Sequence, residues 1–76
     1  MIQTHPIVAE FPEFTDKIKN LYQHNEEFQV LMNSYHLLDE EIYHIEKGEI
    51  LETDEALTHK RKDRVFLKDQ IYELLK

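Results

Sequence analysis

The chain has no cysteine and no tryptophan, a single glycine at Gly48, and two prolines, Pro6 and Pro12. Without cysteine there is no disulfide staple and no thiolate metal site, and cysteine usage says nothing about redox compartment. One glycine excludes any glycine-rich loop that would cradle a phosphate. Prolines confined to the start leave residues 13–76 free to run as uninterrupted helix. No stretch approaches the roughly 18 consecutive apolar residues of a membrane span. The opening residues MIQTHPIVAEFPEF lack the basic start and long apolar block of a secretory signal. The expected location is therefore cytoplasmic, with no membrane contact.

What is present is apolar spacing at helical intervals. Phe28, Leu31, Tyr35, Leu38, Ile42 and Ile45 step by three and four residues, which keeps them on one face of a helix. Gly48 follows, and a second seam runs through Leu57, Leu67, Ile71 and Leu74. One break between two such runs predicts an all-α fold: an antiparallel two-helix, coiled-coil-like hairpin forming one domain over residues 1–76.

Local signals place the boundaries. Residues 1–10 show no clear period and are expected as a loose arm. Phe11-Pro12, with Glu13 and Asp16 behind it, predicts a short helix over 12–23, because proline suits the first helical position and acids suit the positive end of the dipole. Asn25 before Glu26 and Glu27 reads as the cap of a long helix over 26–47. Lys47-Gly48 would end it, and Thr53 would cap a last helix over 53–75.

The net charge is −7, unevenly spread: residues 1–55 carry a balance of −10 and residues 56–76 a balance of +3. The overall sign argues against a general nucleic-acid binder, which needs a basic footprint on phosphates. Folding the hairpin about residues 50–51 sets Leu38 opposite Arg64, Tyr35 opposite Leu67, Leu31 opposite Ile71 and Phe28 opposite Leu74. The same register brings Asp39, Glu40 and Glu41 toward Lys60, Arg61 and Arg64, so charge pairing is expected across the hairpin near the turn. Exposed pairs contribute only about 0–1 kcal/mol each, so they select register more than they stabilise. The hairpin should be tightest toward Tyr35, Leu67 and Ile71, away from the cations Lys60 and Arg64.

Candidate chemistry is sparse. His36, Glu40 and His44 share a helical face. At ~1.5 Å rise per residue, His36 and His44 are about 12 Å apart, too far for both rings to hold one ion at ~2 Å. No metal or cofactor is therefore assigned. Asp39-Glu40-Glu41 could suggest paired acid–base carboxylates, but consecutive helical residues point in different directions and a hairpin offers no dry pocket to tune them. Ser34 precedes Tyr35-His36, yet an adjacent histidine on a helix faces away from it. The expectation is a protein that is not an enzyme.

Leu38-Asp39-Glu40-Glu41-Ile42 with Glu46, and Arg64-Val65-Phe66-Leu67-Lys68-Asp69-Gln70-Ile71, resemble the YdcH-like family of small bacterial proteins. Phe11-Pro12-Glu13-Phe14 and Asn25-Glu26-Glu27-Phe28 extend the likeness to roughly residues 11–75. The resemblance implies a short, mainly two-helix, coiled-coil-like protein and carries no catalytic residues to transfer. Family members usually have an apolar residue where Lys60 stands, and often a histidine-asparagine pair where Tyr35-His36 stands.

The function expected from these readings is a protein–protein interaction or self-associating module, with a dimer favoured and a further protein partner possible. The alternative is a regulatory protein contacting nucleic acid or a basic protein through its charged helix faces. A third reading, metal-dependent or histidine-switched, rests on His36, Glu40 and His44 alone.

Overall fold

Asn25 ends one helix and starts the next. Its extended backbone (φ −128°, ψ 111°) breaks the helical path, and its side-chain carbonyl accepts the Phe28 N–H at 2.9 Å. That cap supplies a partner to an amide the helix itself leaves free. In this computed structural model, which describes residues 2–76, the chain forms α1 (Ile7–Glu10), a 3₁₀ turn (Pro12–Phe14), α2 (Thr15–His24), α3 (Glu26–Glu46) and α4 (Asp54–Leu75). No strand occurs among the described residues.

Gly48 terminates α3 by taking φ +83°, the left-handed region that side chains disfavour. Its N–H then donates to the Ile45 carbonyl at 3.0 Å, and the Glu49 N–H to the His44 carbonyl at 2.9 Å. This is the double hydrogen bond of a Schellman cap. Thr53 opens α4 by accepting the Ala56 N–H at 3.0 Å. Thr53 is thus the N-cap of α4, and Lys47, placed inside the helix over 26–47, is the C-cap of α3.

α3 and α4 pack as the antiparallel hairpin, and the segment before them folds back onto it. Ile7 and Ile18 join Phe28, Tyr35, Ile71 and Leu75 in a single buried cluster. Phe11 stacks on Tyr72 at 5.4 Å between ring centroids, and Phe14 meets the same ring edge-on at 6.2 Å. The expected loose arm is corrected by these contacts. From His5 onward the first ten residues are docked, because Ile7 is buried and the His5 backbone is hydrogen-bonded at both its N–H and its carbonyl. Met1, also assigned to that arm, lies outside the described residues. The short helix expected over 12–23 begins instead as the 3₁₀ turn, since Phe14 (φ −107°, ψ 16°) stays outside the α region.

Candidate functional site

Asp39 sits near the middle of α3 on the side that faces both α4 and the N-terminal segment. Its side chain is 2% exposed. An isolated carboxylate in such a place would be costly, so its partners matter. Oδ1 accepts the Arg64 guanidinium of α4 at 2.9 Å, and Oδ2 accepts the His5 backbone N–H at 2.8 Å. The Tyr35 hydroxyl, one turn earlier on α3, donates to the His5 carbonyl. Burial pushes the Tyr35 hydroxyl up to about 12, and the neighbouring Asp39 charge adds to the effect. Four residues therefore tie α3, α4 and the N-terminal segment together at one junction.

A cavity of about 240 Å³ opens beside this junction, lined by His5, Glu10, Tyr35, Arg64, Val65 and Lys68. Apart from Lys68, its polar groups are engaged within the chain: Arg64 with Asp39, the Tyr35 hydroxyl with His5, and the His5 ring with Glu10 at 3.6 Å. A hydroxyl held up to about 12 keeps its proton at neutral pH, so Tyr35 fastens the segment without offering a base.

The acidic run Asp39-Glu40-Glu41 does not form one solvated face. Asp39 is buried on Arg64, Glu41 reaches Lys60 at 2.6 Å, and Glu40 turns to His36 at 3.2 Å. Glu40 is thus outside the cross-hairpin pairing, because it lies on the far side of α3 from α4. Arg61 pairs with Glu46 at 2.7 Å, a residue the charge reading had not selected. The hydrogen bond to Glu41 holds the Lys60 ammonium above its ordinary range.

His36, Glu40 and His44 do not converge. His44 leaves the stripe for Glu49 in the turn, at 2.7 Å, while His36 keeps Glu40. The His44 hydrogen bond, followed by the Lys47 charge at 3.7 Å, holds Glu49 below the usual carboxylate range. Among the described residues, no three potential ligands come together.

The seam residues divide by depth. Phe28, Tyr35, Ile42, Ile45 and Ile71 are buried, whereas Leu31, Leu38, Leu57, Leu67 and Leu74 are half-buried. Leu75, which is not among the seam positions, is buried, and so is Asp39. The N-terminal segment explains the shift. It covers the flank of α4 that carries Tyr72 and Leu75, moving the centre of the core toward that side. Several large apolar side chains remain in solvent, with Val30 60%, Leu37 67%, Phe66 63% and Leu51 92% exposed. The first three stand on the long helices and Leu51 in the turn.

A two-helix hairpin fastened by a buried ion pair, with apolar side chains left on its outside, places the protein among small all-α hairpins. The chain belongs to the protein family of unknown function DUF465, the YdcH-like family, which it matches over residues 28–75. That match begins at Phe28, so it takes in the hairpin and leaves the docked N-terminal segment outside. No curated protein and no solved structure matches the chain.

Proposed function

We propose that this protein is a self-associating interaction module whose work is binding, without catalysis of its own. The observation that carries the reading is the exposure of Val30, Leu37 and Phe66 on two well-capped helices. Covering the exposed part of each would contribute roughly 1–2 kcal/mol, and the chain's own elements leave that part uncovered. The polar groups of the junction support the same reading, since each is committed to another residue of the chain. No helix among the described residues is long and apolar enough to cross a membrane, so a bilayer-spanning role does not account for the exposed side chains.

The basic stretch gives the nucleic-acid alternative little support. Lys60, Arg61 and Arg64 are each paired with an acid across the hairpin, and Lys62 has no ion-pair partner among the described residues. A phosphate backbone would have to compete with those carboxylates for the same cations.

Sedimentation equilibrium over a range of protein concentrations tests the proposal. The mass should rise from that of one chain toward that of two. A mass fixed at 9.3 kDa up to millimolar concentration would overturn self-association.

A further inference from the structure

The two long helices do not present equal flanks. Successive helical residues rotate by about 100°, which assigns each side chain a direction around its axis. On α3, the side marked by Met32, Asn33 and His36 faces the N-terminal segment, as the cavity they line with Pro6, Ile7 and Tyr22 shows. On α4 the corresponding side carries Val65, Lys68 and Tyr72. In an antiparallel pair these sides fall on the same flank of the hairpin, so the N-terminal segment covers one flank and leaves the other bare.

The bare flank has an ordered composition. Leu31 and Leu38 of α3 lie beside Leu67 and Leu74 of α4, all half-buried, and they form its floor. Val30, Leu37 and Phe66 stand exposed along its edges. Ser34 and Gln70 complete the middle. In a chain that is 33% charged, none of these positions carries a charge. Charged side chains resume only at the ends, with Glu27 and Glu73 at one and Glu41, Lys60 and Asp63 toward the turn. Depletion of charge at the centre with charged groups at the margin is the composition of an interface core and its rim.

We infer that this flank is the surface on which a second copy of the chain docks, giving a closed two-fold dimer. The inference rests on the self-association proposed above and specifies where it happens. Charge selects the occupant. Each copy carries −7, so two copies repel over most of their surfaces, and the uncharged flank is where they can meet without opposing like charges. A partner chosen for opposite charge would need charged groups in the contact, and the middle of this flank supplies none. Area is consistent with a second copy of the same flank. Two helices each about 10 Å across, over the roughly 20 Å between Glu27 and Glu41, offer roughly 400 Å² per copy. That is the size of a weak, transient interface and fits a dimer that forms and dissociates with concentration. Closure follows from the N-terminal segment. With the opposite flank already covered by Ile7, Ile18, Phe11 and Phe14, a docked pair has no equivalent second surface on which to grow.

The test reads solution mass for the full chain and for Leu37→Asp, Phe66→Asp and Leu51→Asp. All three positions are more than half exposed, so the variants should remain folded, as circular dichroism will verify. Leu37→Asp and Phe66→Asp should each weaken dimerisation at least tenfold, while Leu51→Asp, placed in the turn, leaves it unchanged. Because the chain has no cysteine, Ser34→Cys adds a position-specific readout: thiol cross-linking should trap a dimer from this position and not from Lys19→Cys on α2. A wild-type dimer that survives both flank substitutions, or that cross-links only through Lys19→Cys, would overturn this surface while leaving self-association standing. A wild-type chain that stays monomeric would overturn both.

Discussion

Asp39 and Arg64, on different helices of the hairpin, are joined at 2.9 Å, and the other oxygen of Asp39 holds the His5 backbone N–H at 2.8 Å. One carboxylate thus compensates a guanidinium that is itself mostly buried and an amide from a third segment. Breaking such a pair leaves an uncompensated charge, which costs more than the pair contributes when intact.

Asp39→Ala should therefore destabilise the fold by about 3 kcal/mol, the lower part of the range for buried pairs, because Arg64 retains some access to water. Asp39→Asn keeps an acceptor for the His5 amide and should cost less. The double variant Asp39→Ala/Arg64→Ala should lose less than the two single losses added together, since no orphaned charge then remains. Urea denaturation of the wild type, Asp39→Ala, Asp39→Asn, Arg64→Ala and the double variant measures each value and the coupling between Asp39 and Arg64.

Tyr35 should make the protein sensitive to alkali. Its hydroxyl is raised from 10.0 to about 12 in the folded state by burial and by Asp39. The sign follows from proton binding. Between those values the unfolded chain releases the proton while the folded chain keeps it, so the folded state binds more protons and stability falls as pH rises. The contribution is fully present below pH 10 and declines to a loss of about 2 kcal/mol by pH 12. Tyr35→Phe should cost about 1 kcal/mol at neutral pH through the lost bond to the His5 carbonyl. It should also flatten the decline between pH 10 and 12, and denaturation midpoints across that range compare the two proteins.

Gly48 should resist substitution for conformational reasons alone. A Cβ built there meets nothing within 4 Å, so any cost of Gly48→Ala arises from φ +83° and not from a clash. About 1 kcal/mol is expected for alanine, and less for Gly48→Asn, because asparagine tolerates the left-handed region better. Thermal melts of the two variants should rank them in that order.

The hairpin was legible because its signals repeat. Phe28 through Ile45 recur at helical spacing over several turns, and Asn25, Gly48 and Thr53 each carry a local backbone requirement that few other residues meet. Ile7 carries no such repetition: a one-turn helix is too short to show a period, so its burial is visible only once α3 and α4 provide the surface it covers. Leu75 was missed for a related reason. A heptad reading assumes one partner helix, whereas this position faces the N-terminal segment as well. Asp39 was legible as a charge opposite the basic helix but not as a buried one, since its depth depends on His5, more than thirty residues away. The flank proposed for dimerisation lies between these cases. Its leucines belong to the repeating seam, and their partial exposure follows from where the N-terminal segment docks.

That docking should be separable from the hairpin. The N-terminal segment reaches the hairpin through Ile7, Ile18, the Phe11–Tyr72 stack and the two hydrogen bonds at His5. α1 is a single turn, and isolated turns have little stability of their own. Ile7→Ala removes buried methyl groups of the kind whose loss costs about 2–5 kcal/mol in a cooperative core. Where a segment can open by itself, that cost appears as local opening and spares the remaining structure. Native-state hydrogen exchange should show protection of the His5 amide falling sharply in Ile7→Ala. The amides of Tyr35, Ile42 and Ile71, inside the long helices, should change little. Equal loss of protection at His5 and Ile42 would mean that the segment and the hairpin unfold as one unit.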